Sequence, residues 1–173
     1  SYAGFSEFII RILSIFIFPI TLAVHPILMN KWNKNKNIHE FFVKLFKASM
    51  IQILICLIML IPVYFFKEDF FYFIQIMIPG IDSSMKEIII PIFIGGFLWQ
   101  LALVLHKPLE IEERTLIMVV CIMVSLVINL IGNIFFLPKF GILATAYTMI
   151  LSASIYILSS ILLSSSFRNF IRK

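Results

Sequence analysis

The stretch that decides the fold is EFIIRILSIFIFPITLAVHPILM, Glu7–Met29. Its apolar run from Ile9 to Met29 is long enough to cross a bilayer core of about 30 Å as an α-helix. Its polar residues recur at spacings of four, three, seven and four, and they are Glu7, Arg11, Ser14, Thr21 and His25. These spacings place all five on one helical face. A helix in lipid carries such a stripe where that face meets protein or water, so the stripe predicts a membrane bundle around a polar pathway.

The composition of the whole chain agrees with a membrane protein. Its 173 residues are 61% hydrophobic and 13% charged, and the mean hydropathy is +1.06. A soluble domain carries about 25% charged residues. The net charge of +5 lies in short segments between apolar runs rather than on a basic face, so no nucleic-acid partner is expected.

Four further apolar runs predict four more transmembrane helices. We therefore expect an all-α integral membrane protein, a bundle of five transmembrane helices, in which the runs are continuous and not alternating as in a β-barrel. The predicted spans cover residues 9–29, 48–66, 88–105, 116–137 and 142–167. The shorter segment Phe70–Ile81 is expected to lie at the membrane interface. Pro138 and Gly141 predict a tight turn that makes the last two helices an antiparallel hairpin.

Basic residues predict the orientation. Ten lie in the first connection, the third connection and the tail: Lys31, Lys34, Lys36, Lys44, Lys47, Lys107, Arg114, Arg168, Arg172 and Lys173. Four lie on the alternate side: Arg11, Lys67, Lys86 and Lys139. The positive-inside rule then places the N-terminus outside and the C-terminus in the cytoplasm.

Other predicted helices also carry polar side chains, which have two interpretations. Gln100 lies near the middle of the third helix, and Asn129 and Asn133 lie four residues apart on the fourth. Such side chains either hydrogen-bond between helices or line a cavity. In the same way, Arg11 can form an ion pair with Glu7 at the outer interface, and His25 can simply stabilise a helix end. The candidate cavity residues are Arg11, Ser14, Thr21, His25, Gln100, Asn129 and Asn133.

No catalytic motif accompanies these residues. The chain contains no GxSxG, HExxH or Walker A sequence, so we expect no enzyme activity, no cofactor and no metal site. Cys56 and Cys121 lie within apolar runs and are expected to be small buried side chains. The acidic group Glu110, Glu112 and Glu113 is expected to be a solvated helix start in a cytoplasmic connection.

Two segments carry a resemblance to a known family. YAGFSEFIIRILSIFIFPITLAVHPILMNKWN (Tyr2–Asn33) resembles the start of the second lobe of bacterial polysaccharide flippases. These are the Wzx-type O-antigen and capsule exporters of the MOP superfamily. KPLEIEERTLIMVVCIMVSLVINLIGNIFFLPKFGILATAYT (Lys107–Thr148) is similar to a later part of that lobe. The matching positions are Lys107, Asn129, Asn133, Pro138, Phe140, Gly141 and Ala146, whereas Ala144 and Thr145 replace a glycine and an alanine of the family pattern.

The resemblance implies a two-lobe transporter of the bacterial plasma membrane. The chain would be the C-terminal lobe, the last five of twelve or fourteen spans, and an upstream N-terminal lobe of the same protein would complete the cavity. The partners would be membrane lipid and an oligosaccharide on undecaprenyl pyrophosphate, flipped during biosynthesis of lipopolysaccharide or another surface polysaccharide. A cationic cavity suits pyrophosphate, and Arg11 is the candidate for that contact.

Three alternatives stay open. A drug or organic-cation antiporter of the same superfamily, similar to MATE transporters, would favour acidic cavity residues, and Glu7 is the candidate acid. A membrane-embedded polysaccharide polymerase would need room outside, where the predicted connections are Lys67–Glu87 and one four-residue turn. A structural subunit is the third.

Overall fold

The computed structural model describes residues 2–172, with the exception of the side chains of Lys31, Lys34 and Asn35. Three of the basic residues used to predict the orientation are affected. The side chains of Lys31 and Lys34, and the whole of Lys173, lie outside the described part of the chain. The chain is 91% helical, and residues 2–172 form no β-strand. The all-α prediction is confirmed.

Within residues 2–172, eight α-helices and one short 3-10 helix follow each other. The α-helices are α1 Tyr2–Asn35, α2 Ile38–Phe65, α3 Lys67–Met77, α4 Ile89–Leu105, α5 Lys107–Ile111, α6 Thr115–Phe140, α7 Ile142–Leu163 and α8 Ser165–Ile171, and the 3-10 helix is Ser83–Ile88. In this described part of the chain, five segments are long and apolar enough to cross a membrane: Tyr2–Asn30, Ile38–Phe65, Ser83–Ile111, Thr115–Phe140 and Ile142–Leu163. These segments describe a multi-pass membrane protein, as the sequence predicts. Helix α3 covers most of the segment Phe70–Ile81 that was predicted to lie at the interface. With 11 residues it is too short to span a membrane.

The last helix ends earlier than predicted. The apolar run predicts a span through Phe167, but α7 ends at Leu163 because Ser164 adopts an extended conformation, with φ −71° and ψ 123°. The Ser164 hydroxyl then accepts a hydrogen bond from the backbone N–H of Phe167 and caps α8. A local capping interaction therefore outweighs hydropathy at this point.

Helix α4 lies at the centre of the bundle. It packs against α1, α2 and α7, and its spanning segment is 61% buried, compared with 17% for α6. Gly95 and Gly96 allow neighbours to approach from two sides. A Cβ on Gly95 would collide with Met149 of α7, and one on Gly96 would lie 3.0 Å from Cγ1 of Ile10 in α1. Two adjacent glycines thus let one helix contact two partners closely.

Helices α6 and α7 form the predicted antiparallel hairpin. Gly141 is the only residue between them, and its φ of +63° is a conformation that favours glycine. Gly132 of α6 faces Thr148 of α7, where a Cβ would lie 2.5 Å from the threonine Cγ2. The two helices therefore approach closely along a seam of small residues.

The two ends of the bundle differ in chemistry. At one end, Phe71 of α3 makes an edge contact with Phe5, and ion pairs join Lys67 to Glu87 and Lys86 to Glu68. At the other end, α5, α8 and the α1–α2 connection come together. There Phe170 of α8 stacks on Phe42 of α2, with ring centroids 4.8 Å apart. The three basic-rich segments of the sequence thus meet at a single end.

Candidate polar pathway

The polar stripe of α1 runs beside the buried face of that helix. The buried face is formed by Phe5, Ile9, Leu13 and Ile17, which recur every four residues and pack into the core. The bundle interior is therefore filled by apolar side chains. The stripe follows the edge of that interior, with exposed side chains at both ends and the buried Thr21 between them.

Two members of the stripe bind neighbouring helices. The Ser14 hydroxyl donates to the carbonyl of Ile10 at 2.8 Å and accepts from Nε2 of Gln100 in α4 at 3.1 Å. The Thr21 hydroxyl is buried and accepts from Nε2 of Gln52 in α2 at 2.8 Å. Ser14 and Thr21 therefore connect α1 to α4 and α2 respectively. Gln52 is a further polar residue of this pathway.

Arg11 and Glu7 form an exposed ion pair. The Arg11 Nη2 lies 2.6 Å from Oε1 of Glu7, and the two side chains are 75% and 61% exposed. They border a shallow pocket of about 290 Å³ together with Gly4, Phe8 and Ile78. The pair accordingly lies at the surface of this bundle and is not enclosed within it.

His25 lies at the opposite end of the stripe. Its side chain is half-exposed, and its Nδ1 lies 3.4 Å from Oε2 of Glu110 in α5. The two residues border a pocket of about 340 Å³ between α1 and the α4–α5 junction. The lining residues are Thr21, Leu22, His25, Leu103, His106, Lys107 and Glu110. His25 is thus an interface residue that contacts an acid.

The main feature that sequence reasoning missed is the cluster around Glu110. Lys107 Nζ donates to both Glu110 oxygens at 2.7 and 2.8 Å, and Nε2 of His106 lies 2.9 Å from Oε1. The other His106 nitrogen, Nδ1, lies 3.1 Å from the Tyr156 hydroxyl of α7. His106 and Lys107 are buried. The Glu110 carboxylate thus links α1 to the α4–α5 junction, and His106 extends the cluster to α7.

This cluster corrects one sequence prediction. Glu110, Glu112 and Glu113 were expected to be solvated, but only Glu113 is exposed. The available signal was the spacing in LHKPLE, where His106 and Lys107 lie four and three residues before Glu110. That spacing predicts contact on a helix. The partner on α7, however, lies 50 residues away and leaves no local pattern.

Glu112 binds the N-terminus of α8 and so holds this helix against the rest of the bundle. Its carboxylate accepts from the Ser164 hydroxyl at 2.6 Å and from the backbone N–H groups of Ser165 and Ser166 at 3.2 and 2.6 Å. Burial raises the pKa of this carboxyl, but the hydrogen bonds from the three serines outweigh burial. The pKa of Glu112 therefore lies below its ordinary value of 4.5.

The two asparagines of α6 differ in their partners. Asn129 Nδ2 donates to the Ser152 hydroxyl of α7 at 3.3 Å, so this side chain bonds between helices. The Nδ2 of Asn133 instead donates within α6 to the carbonyl and Oδ1 of Asn129. Both residues lie on the α6–α7 seam. The structure does not bring them together with Arg11 or His25, which lie on α1.

Three buried acceptor atoms within residues 2–172 have no hydrogen-bond partner. They are Oε1 of Gln52, Oε1 of Gln100 and Oδ1 of Asn133. Buried polar atoms are normally paired, so unpaired acceptors point to sites where water or a ligand is expected. Gln52 and Gln100 are also the partners of the α1 stripe, so two of the three unpaired oxygens lie beside it, and the third lies on the α6–α7 seam.

Other candidate chemistry is limited within residues 2–172. Cys56 and Cys121 are both buried free thiols, as predicted. Across this part of the chain, no group of three His, Cys, Asp or Glu side chains is arranged to hold a metal ion.

Comparison with known proteins finds no family model, curated protein or solved structure that matches this chain.

Proposed function

We propose that this chain is one lobe of a flippase that moves a lipid-linked oligosaccharide across the bacterial plasma membrane. The branch it resembles is the Wzx-type polysaccharide exporters of the MOP superfamily. In this proposal the N-terminus is outside, the C-terminus is cytoplasmic, and a second lobe completes the cavity. The substrate is a glycan on undecaprenyl pyrophosphate.

The observation that carries the proposal is the polar line along α1. It runs from Arg11 through Ser14 and Thr21 to His25, and Gln100 and Glu110 contribute from α4 and α5. Fourteen residues separate its ends, which corresponds to about 21 Å of helix and two thirds of a hydrocarbon core. A lipid-facing helix has no use for such a line, since polar groups in hydrocarbon are costly.

The line is open on one side, which suits a lipid-linked substrate. Thr21 is buried, but Leu22 and Leu103 beside it are exposed and apolar. A polar headgroup can follow the polar side chains while the attached hydrocarbon chain stays in contact with such apolar surface. Arg11 offers a forked set of donors that matches a pyrophosphate.

A cation antiporter fits the same residues less well. Such a protein needs an acid available to a cationic ligand, and the acids along the line are Glu7 and Glu110. Glu7 is paired with Arg11, and Glu110 is contacted by Lys107, His106 and His25. A cationic substrate would have to displace a fixed positive charge at either position.

The test uses the full-length protein in cells that lack their own copy and measures surface polysaccharide. Arg11→Ala should reduce display at least tenfold with normal protein levels, and lipid-linked glycan should accumulate. Arg11→Lys should restore display only in part, because lysine keeps the charge but loses the fork.

Glu7→Gln is the matched control, because it removes the partner of Arg11 and leaves the guanidinium in place. An exposed ion pair contributes about 0–1 kcal/mol to stability, so a purely structural pair should respond equally to either loss. Equal effects of Arg11→Ala and Glu7→Gln would contradict the role of Arg11. Normal polysaccharide display without the protein, together with increased retention of a cationic dye, would contradict the flippase itself.

A further inference from the structure

A basic cleft lies at the end of the bundle where α8 meets the α1–α2 connection. Its volume is about 750 Å³, more than twice that of the pocket beside His25. The residues that line it are Lys36, Asn37, Ile38, His39, Asn169, Phe170 and Arg172. None of the seven is acidic, and the polar line along α1 does not include any of them.

Positive charge reaches this cleft from two separate segments. Lys36 comes from the connection before α2, and Arg172 caps the C-terminus of α8. His39 adds an imidazole ring to the same lining. The nearest acid along α2 is Glu40, which forms an ion pair with Lys44 one turn further on. Two fixed cations from distant parts of the sequence therefore share one cavity.

Backbone donors lie beside these cations. Ile38 and His39 are the first residues of the 28-residue α2, so their N–H groups have no acceptor within the helix. The positive end of the α2 dipole meets the negative ends of α1 and α8 at this point, so the net positive charge of the cleft comes from Lys36 and Arg172. Lys36 also has a φ of +46°, which is uncommon for a residue with a side chain and closes the turn between α1 and α2. The cleft thus combines side-chain cations with backbone donors, which is the chemistry that binds a phosphate group.

The cleft has an apolar floor. Phe170 lines it and stacks on Phe42, and the ring of His39 lies 5.8 Å from the ring of Phe170. The cleft also lies at the start of a membrane-spanning segment, since Ile38 is the first residue of the second span. A soluble inorganic anion would gain nothing from contact with the Phe170 ring. A phosphate group attached to glycerol and acyl chains makes use of both the cations and the floor.

We propose that this cleft binds the headgroup of an anionic phospholipid. The phosphate lies between Lys36 and Arg172, and the glycerol region contacts Phe170. The proposal is independent of the substrate and of the transport direction. It assigns this end of the bundle to the surface of an anionic leaflet, which basic pockets beside membrane helices commonly recognise.

The experiment measures binding of phosphatidylglycerol to the purified full-length protein in a zwitterionic detergent. Phosphatidylcholine with the same acyl chains and inorganic phosphate are the comparison probes. The variant is Lys36→Gln with Arg172→Gln. The matched control is Lys47→Gln with Arg168→Gln, which removes the same charge from exposed residues that do not line the cleft.

We expect the cleft variant to bind phosphatidylglycerol roughly 25-fold more weakly, about fivefold for each cation removed. The control should change by less than threefold, and phosphatidylcholine should bind weakly to every protein. All of these residues are exposed, so folding should be preserved. Should the double variant not fold, each single variant is expected to weaken binding about fivefold.

Three results would overturn the proposal. Equal loss in the two double variants would mean that overall charge, and not this cleft, attracts the lipid. Equal binding of the two phospholipids would remove the role of the anionic headgroup. Displacement of phosphatidylglycerol by inorganic phosphate at the same concentration would identify a site for a soluble anion.

Discussion

The α6–α7 seam and the polar line of α1 begin from the same kind of sequence and end in different structures. Each has small and polar residues at helical spacing within an apolar run. In the seam most of these side chains are paired, since the Ser125 hydroxyl donates to the Ser152 carbonyl at 2.6 Å and Asn129 binds the Ser152 hydroxyl, and only Oδ1 of Asn133 among the described seam atoms lacks a partner. Along α1, the charged side chains stay exposed, and the glutamines that bind Ser14 and Thr21 from α4 and α2 each keep an oxygen without a partner. Polar periodicity alone therefore does not separate a packing face from a pathway.

The difference comes from what lies opposite each stripe. The seam faces a second helix along its whole length, with Gly132 against Thr148. The line of α1 faces α4 and α2 on one side only, so Ser14 and Thr21 find partners while Arg11 does not find one on another helix. Where two helices pack closely, their polar side chains can hydrogen-bond to each other. Where no helix packs against one side, the polar side chains on that side stay exposed.

The largest expected effect comes from disrupting the seam. Gly132→Leu inserts a side chain where even a Cβ meets Thr148, so we expect a loss of about 2–3 kcal/mol of unfolding free energy. Ser154→Leu is the control, because Ser154 is exposed on α7, and it should change stability by less than about 0.5 kcal/mol. Unfolding in mixed micelles measures both variants. Equal stability of the two would mean that the seam is not closely packed.

A smaller effect is expected where Glu112 holds α8 against the rest of the bundle. Glu112→Gln removes a charged acceptor of three hydrogen bonds and should weaken the attachment of α8 by about 1–2 kcal/mol. Protease cleavage near Phe167 measures the release of α8. The exposed neighbour Glu113 supplies the control, Glu113→Gln, which should leave cleavage unchanged.

The same contact predicts a direction of pH dependence. The pKa of Glu112 is lowered on folding, so the unfolded chain takes up a proton first as the pH falls. The stabilisation is complete above the ordinary carboxyl pKa of 4.5 and is lost as the pH falls through the lowered folded value. Release of α8 should therefore increase on acidification in the natural protein and show less pH dependence in Glu112→Gln. If α8 release depended on pH identically in the natural protein and in Glu112→Gln, Glu112 would not be the residue that holds α8 in place.

The smallest effects on stability are expected for one polar residue from each region, Asn129 in the seam and Gln100 beside the polar line of α1. Asn129→Leu removes an interhelical bond and should cost about 0.6 kcal/mol, with export reduced only as far as protein level falls. Gln100→Leu removes the hydrogen bond that Nε2 donates to Ser14 together with an Oε1 that has no partner, so its cost in stability should be about as small, while export should decline by more than protein level falls. Unfolding and polysaccharide display are measured on both. If Asn129→Leu instead reduced export more than protein level, and Gln100→Leu did not, the seam would be the functional region and the line of α1 the structural one.

The sequence by itself determined the helical class, the five spans and the hairpin. Hydropathy over about 20 residues decides whether a segment crosses a membrane, because backbone groups in lipid must be paired within the helix. The turn at Gly141 and the burial of both cysteines follow from equally local chemistry. The presence of polar residues on α1 was also evident from spacing alone.

Only the tertiary structure decided how these helices use their polar groups. Glu112 binds serines more than 50 residues away, and His106 meets Tyr156 at a separation of 50. The central place of α4 depends on Met149 and Ile10 approaching Gly95 and Gly96 from two different helices. No local pattern encodes such pairs, because each half of a contact is compatible with many partners. Which half is buried, and which stays open, depends on the helix that packs beside it.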